Sequence, residues 1–583
     1  MYNIIKNNFY FISFFIILIL YFLLIDFLFP FMSLGSFEFH IIDIIYVYWF
    51  SVIAYNICDY IPTKKRLIIS YSFVIVAIFS FFSIEPLGIS VVTKPLFFTD
   101  MPDLYPALIE VVPLYLQIIT IASTILYFSL LIAFALYFIY RLYKMYKIKR
   151  VKSISLIVIV ILTTYLSFFR PVKINSIYAN YFDIANSKGI INTISHRIYF
   201  DKEYNNIECN LNNVRNAINL LNQRNIDISK LIMPYSDDTV TNRSVFLIYL
   251  ESFYDYSHFA GLFDKDPFPE EYRKWAKTSS KVGPNDGNGS LFARLSGLTA
   301  SSPIFPKKPD STIITKTLPF LFRDKGYNVI ALEESGITYY LDKLFPNIGV
   351  EKTVFNLGIT NIKNYIKDNI SDYSVFVTGF TFLGHANTHV NNDLNFASNN
   401  QRFMRKIDKK NRAVLVETLE NSAMTAIDII KTRDIILEKY PDAIIIFKHD
   451  HLYPYLKNII YNSSIDESIK LSFLTSYAVN PLLIWNGKDG AYKLPDGFPP
   501  ENIPMFIAVN TKLDYTNSLI ELLYKENTDN IIRFYNSFYT NIYGNIRRIE
   551  VDRDSLSYKY NHAQRVISED IFRGSKYFNS LID

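Results

Sequence analysis

The sequence predicts two kinds of fold in one chain: an α-helical membrane domain of five transmembrane helices over residues 1–170, and a mostly parallel α/β domain over residues 244–525. Three observations carry this reading. Long apolar blocks are confined to the first 170 residues of a 583-residue chain. From residue 244 onward, short apolar runs alternate with helical stretches, the pattern of a sheet covered by helices on both faces. Two of those runs end on side chains that ligate metals, and in such sheets ligands bind beyond the carboxyl ends of the strands.

The membrane blocks are Phe9–Met32, Phe39–Cys58, Leu67–Ile84, Val111–Tyr140 and Ile154–Phe169. Each is close to the roughly 17–25 apolar residues that cross a bilayer. The first lacks a small-residue cleavage site and four similar blocks follow it, so it reads as a span and not as a cleaved leader. Asp26 and Asp43 lie in or beside these helices, where a carboxylate faces other helices or the interface. Lys64, Lys65 and Arg66 separate the second and third blocks, and Arg141, Lys144, Lys147, Lys149, Arg150 and Lys152 separate the fourth and fifth. Such clusters stay cytoplasmic. The segment from Glu85 to Glu110 holds four acids against one Lys and suits the outside. Five crossings from a cytoplasmic N-terminus put everything after Phe169 outside the cytoplasm. The net charge of +5 is therefore largely a topology signal and does not point to nucleic acid. Cys58 and Cys209 are the only cysteines and lie too far apart in environment to predict a structural disulfide.

Residues 171–243 read as a stem, polar and mixed, with a helix-like stretch at Asn210–Arg224. No long Pro/Gly/Ser linker follows, so the stem is expected to pack against the next domain. Strands are expected at Ser244–Leu250, Tyr327–Leu332, Ser374–Thr381, Ala443–Phe447 and Asn480–Trp485. Helices are expected between them, among others at Lys316–Asp324 and Val414–Glu438. Residues 526–583 form a C-terminal extension rich in Asn, Tyr and Arg, with no membrane span.

The first run, Val245-Phe-Leu-Ile-Tyr-Leu-Glu251, delivers a carboxylate to a strand end, where burial is costly without a metal or a cation as partner. Alone, such a Glu reads more simply as a capping or solvated residue. The second run, Ala443-Ile-Ile-Ile-Phe-Lys-His-Asp-His451, delivers Asp450 and His451 at the equivalent place. One carboxylate and one imidazole suit Mn²⁺, Zn²⁺ or Mg²⁺, and His449 adds a further ligand or a supporting group. Between them, Gly283-Pro-Asn-Asp-Gly-Asn-Gly-Ser290 is a glycine-rich turn that feeds a helix. Such a turn presents backbone N–H groups and a positive dipole end to an anion, and Ser290 is either a nucleophilic hydroxyl or a plain N-cap. His385 and His389 follow the third apolar run, as phosphate-binding groups or as surface histidines.

In this order the features resemble the lipoteichoic acid synthase and phosphoglycerol or phosphoethanolamine transferase branch of the alkaline phosphatase/sulfatase superfamily. The resemblance covers the five helices, the stem, Leu250-Glu-Ser-Phe253, the glycine-rich turn and Asp450-His451. It extends to Lys316–Tyr327, Asn480–Trp485 and Asp514–Leu523. It implies a sulfatase-like α/β catalytic domain outside the cytoplasmic membrane of a bacterium. It also implies a divalent metal, Mn²⁺ or Zn²⁺ with Mg²⁺ as a further option, held by Glu251, Ser290, Asp450 and His451. Ser290 is then the nucleophile that forms a covalent phospho-enzyme, and His385, Arg294 and His389 bind substrate. The donor would be a phospholipid or an activated phospho-group and the acceptor a surface polysaccharide or glycolipid.

One feature departs from that pattern. Aligned without a gap, the family's nucleophilic Thr falls on Gly287, three residues before Ser290. Shifting the turn by three gives Ser290-Leu-Phe-Ala-Arg294, similar to the nucleophile-x-x-x-Arg core of sulfatases, with Asp286 as an extra ligand candidate. The alternatives are a sulfatase or phosphodiesterase that uses water as acceptor, and a catalytically degenerate envelope protein that binds polymer. The first lacks the Pro two residues after the nucleophile, where Phe292 stands. The second would leave buried carboxylates without a cation.

Overall fold

The strands form because β-branched and aromatic runs, buried on both faces, fit the pleat of a central sheet. In the computed structural model, residues 207–234, 242–282, 290–301, 313–336, 341–359, 361–370, 374–384, 394–450, 456–476, 479–525, 531–534, 538–541, 546–548, 556–572 and 576–582 are described. The five membrane helices expected before residue 170, and the first part of the stem, lie outside the described residues.

The main sheet contains β1 (Val245–Leu250), β2 (Ser280–Val282), β3 (Asn328–Glu333), β4 (Lys352–Val354), β5 (Val375–Phe380), β6 (Ile444–His449), β7 (Asn480–Asn486) and β8 (Ala491–Tyr492). Its order is β2-β7-β6-β1-β5-β3-β4, with β8 paired to β7. Strands β6, β1, β5, β3 and β4 run parallel. β7 is antiparallel to β6, and β2 and β8 are antiparallel to β7. All five expected strands are present within a residue or two of their expected ends. The short edge strands β2, β4 and β8 carry too few apolar residues to announce themselves.

Alternation along β1 divides the core. Val245, Leu247 and Tyr249 face one apolar layer, and Phe246, Ile248 and Leu250 face the other. The helix Ser290–Thr299 lies on the first layer, close enough that a Cβ on Gly297 would fall 1.5 Å from the Tyr249 hydroxyl. The 28-residue helix Arg412–Lys439 covers the second layer through Leu415, Leu419, Ala423, Ala426, Ile429 and Ile436. Successive parallel strands β5 and β6 sit on opposite sides of β1, so the carboxyl end of β1 opens a crevice where the strand order reverses.

The described part of the stem packs on this unit. Helix Leu211–Leu221, capped by Asn210, buries Val214, Ala217, Ile218 and Leu221 and packs along helix Leu556–Phe572 of the C-terminal extension. Arg224 then donates to the carbonyls of Glu521 (3.1 Å), Leu522 (2.6 Å) and Tyr524 (2.5 Å), closing the end of helix Leu519–Leu523. Residues 531–548 add a three-stranded antiparallel sheet, β9 (Ile531–Phe534), β10 (Phe538–Asn541) and β11 (Ile546–Arg548). Among the described residues no helix is long and apolar enough to cross a membrane.

Candidate active site

The parallel register sets the site. Leu250 of β1 stands opposite His449 of β6, and Tyr249 opposite both Lys448 of β6 and Phe380 of β5. The next residues therefore leave the sheet at one level: Glu251 after β1, Asp450 after β6 and Thr381 after β5. Hydrogen bonds continue the ladder past the strand ends, from Asp450 N to Leu250 O (3.2 Å) and from Thr381 N to Tyr249 O (2.9 Å). Glu251 and Asp450 are 3% and 2% exposed.

Ser252 joins the two carboxylates. Its backbone N–H donates to Asp450 Oδ1 (2.9 Å) and its hydroxyl donates to Glu251 Oε1 (2.6 Å). Two buried carboxylates tied to one residue form a hard oxygen donor set, which fits a divalent cation of the Mn²⁺ or Mg²⁺ class. Buried like charges are stabilised by a nearby cation, a role that the Lys448 ammonium fills in part for Asp450 and that a divalent ion would extend. Among the described residues no group of three or more His, Cys, Asp or Glu side chains is placed to hold a metal ion by itself. The remaining expected ligands, His451 and the Ser290 side chain, and the expected substrate groups His385 and His389, lie outside the described residues.

The helix that begins at Ser290 enters from this edge. Arg294 pairs with Glu333, the last residue of β3, and its guanidinium lies 4.1 Å from the centroid of Phe380, the last residue of β5. Gly297, one turn later, meets Tyr249 and Leu247 deeper in the sheet. The helix thus runs inward from the carboxyl edge and its first turn lies at that edge. Arg294 was expected to meet substrate. It is 1% exposed and its guanidinium is engaged by Glu333, because burial of a guanidinium demands a carboxylate.

Three charged residues at this edge escaped sequence reasoning. Glu333 ends β3 and Glu334 follows it, much as Glu251 follows β1, so the signature is present in Asn328-Val-Ile-Ala-Leu-Glu-Glu334. Burial pushes the Glu333 carboxyl up to about 7, against the pull of Arg294. Glu334 accepts from the backbone N–H of Phe382 (3.0 Å) and of Ile362 (3.4 Å), holding the loop after β5. Lys448, a cation inside the apolar run of β6, is fully buried and donates from Nζ to the carbonyl of His449 (2.7 Å). Burial pulls its ammonium down to about 7, while Asp450 and Glu501 hold it up.

No family model matches the chain, and no curated protein matches it. Solved structures do. The chain is similar in structure to members of the alkaline phosphatase superfamily. One is a protein of that superfamily from Vibrio parahaemolyticus, 12% identical, covering 64% of this chain and 98% of its own, with a TM-score of 0.43. A second is the Streptococcus pyogenes phosphoglycerol transferase GacH in complex with sn-glycerol-1-phosphate, 13% identical over 64% of this chain and 96% of its own, TM-score 0.42. A third is the lipoteichoic acid synthase LtaP from Listeria monocytogenes, 12% identical over 63% of this chain and 98% of its own, TM-score 0.40.

Proposed function

We propose that the chain is a membrane-anchored, metal-dependent phosphotransferase that moves a phosphate-linked substituent, of the phosphoglycerol or phosphoethanolamine type, onto a cell-surface glycan or glycolipid. The observation that carries this is the pair of buried carboxylates, Glu251 and Asp450, joined by Ser252 at the carboxyl edge of the sheet. Its supports are the entry of the Ser290 helix from the same edge and the sequence resemblance given above.

In this reading Glu251, Ser290, Asp450 and His451 hold the metal. A divalent cation there lowers the pKa of a ligated hydroxyl and neutralises charge on a transferring phosphoryl group. Ser290 Oγ attacks the phosphorus of the donor phosphodiester. The bond from phosphorus to the donor's alcohol oxygen breaks, and that alcohol leaves with a proton. The acceptor hydroxyl then attacks the serine phosphodiester and the Ser290 Oγ–P bond breaks, which returns the free serine. His385 and His389 meet the substrate phosphate. Arg294, with Glu333, fixes the helix that carries Ser290 against the strand ends. The membrane helices expected before residue 170 keep the site beside lipid headgroups, which raises the effective concentration of a lipid donor.

The test uses the full chain in mixed micelles of phosphatidylglycerol and phosphatidylethanolamine with Mn²⁺. Release of diacylglycerol together with transfer of the headgroup to an added glycan, both lost on chelation and in Asp450→Asn, supports the reading. Release of free glycerol phosphate or phosphoethanolamine without transfer to any added glycan favours the hydrolase, and no lipid turnover under any metal contradicts both.

A further inference from the structure

We propose that Ser252 is a positioning residue: it fixes the Glu251 and Asp450 carboxylates in the arrangement that receives a divalent cation, and Gly384 gives its turn the room to form. The inference rests on the reading of Glu251 and Asp450 as metal ligands.

Ser252 has a left-handed backbone, with φ at 47°. A residue with a Cβ adopts this region at a cost, and it persists where the surroundings over-determine it. The turn does more than reverse the chain. It aims both donors of one residue at carboxylates that arrive from different strands, the N–H at Asp450 after β6 and the hydroxyl at Glu251 after β1. Each carboxylate thus accepts one of these bonds at a defined oxygen, which ties the orientation of both to a single residue. The hydroxyl has a single proton, and its bond of 2.6 Å to Glu251 is in the range of a charge-assisted contact. Ser252 is itself 7% exposed, so water does not compete freely for these bonds.

The loop after β5 braces the turn. Thr381 Oγ1 accepts from Glu251 N (3.3 Å), and Glu334 holds the Phe382 amide. Two residues on, Gly384 passes so close that a Cβ there would lie 1.8 Å from the Glu251 carbonyl oxygen, 2.9 Å from its carbon and 3.4 Å from the Ser252 carbonyl carbon. These are backbone atoms, so a side chain at Gly384 displaces the Glu251 peptide. A serine that served the turn alone would be improved by glycine and indifferent to metal.

That contrast supplies the test. The full chain, wild type and Ser252→Ala, Ser252→Gly and Gly384→Ala, is purified in detergent, stripped of metal and titrated with MnCl₂, with free Mn²⁺ read by electron paramagnetic resonance. Thermal unfolding of each metal-free variant is recorded alongside. Loss of a supporting group costs ~10–100-fold in metal affinity. Both Ser252 variants are expected to fall in that range, with Ser252→Gly unfolding at or above the wild-type temperature because glycine accepts the left-handed backbone. Gly384→Ala is expected to bind Mn²⁺ at least as weakly as they do. Wild-type affinity in a folded Ser252→Ala or Ser252→Gly overturns the positioning role, and wild-type affinity in a folded Gly384→Ala overturns the bracing role. A wild-type chain that leaves Mn²⁺, Zn²⁺ and Mg²⁺ all unbound is a separate result: it removes the ligand assignment, and the positioning role with it.

Discussion

At the scale of single residues, the proposed chemistry is concentrated in a few groups. Ser290→Ala should lower headgroup transfer on the order of 10⁴-fold or more, since loss of a covalent nucleophile leaves only binding and electrostatics. A headgroup-transfer assay with circular dichroism as a folding control measures this, and transfer within tenfold of wild type would remove Ser290 from the mechanism. Glu333 gives a pH signature. Its folded carboxyl is pushed up to about 7 from a starting value of 4.5, so between these values the folded state binds the proton and the unfolded state does not. Its contribution is fully present below about 4.5 and is lost as pH rises through about 7. Glu333→Gln should flatten that decline in urea midpoints measured from pH 5 to 8. An unchanged slope would mean that the Arg294 pair keeps Glu333 ionised throughout.

At the scale of elements, the strand ends were the most legible part of the sequence. A continuous apolar run that stops on an acid is visible without a structure, and it places Glu251 just after β1 and Asp450 just after β6. The same rule, applied evenly, finds Glu333 at the end of β3 and Glu334 just beyond it. Ser252 was not legible in its bridging role, because its partner Asp450 is 198 residues away and its left-handed turn has no glycine or asparagine to mark it. Arg294 could be placed on a helix by spacing, but its partner Glu333 depends on how that helix crosses the sheet. That crossing gives a further prediction. A methyl on Gly297 would overlap the Tyr249 hydroxyl, so Gly297→Ala should destabilise the domain by about 1–3 kcal/mol, as overpacking does. Tyr249→Phe should cost little, since among the described residues that hydroxyl has no hydrogen-bond partner. Calorimetric melting of both variants checks the pair, and a neutral Gly297→Ala would mean that the helix can lift from β1 freely.

At the scale of the whole molecule, the sequence predicts a stem that packs against the α/β domain but does not say that the C-terminal extension is what it packs on. In the structure residues 207–583 cluster as one compact unit, with helix Leu211–Leu221 lying along helix Leu556–Phe572. The sequence concealed this because each helix is amphipathic by itself and nothing local says which two apolar stripes meet. Truncation after residue 525 should therefore uncover Val214, Ala217, Ile218 and Leu221 and lower the melting temperature or solubility of what remains. A truncated chain that melts like the full one would make the extension a true appendage. The membrane half of the expected architecture, five spans before residue 170, lies outside the described residues and is tested by cysteine accessibility from either side of the membrane. Catalysis by the assembled molecule is best tested by trapping its covalent intermediate. The full chain in detergent, loaded with Mn²⁺ and mixed with phosphatidylglycerol and phosphatidylethanolamine, is digested and its peptides are weighed. A glycerophosphate or phosphoethanolamine adduct on the peptide containing Ser290, absent in Ser290→Ala, is the predicted result. Bound Mn²⁺ with no adduct on any peptide, across both lipids, would contradict it.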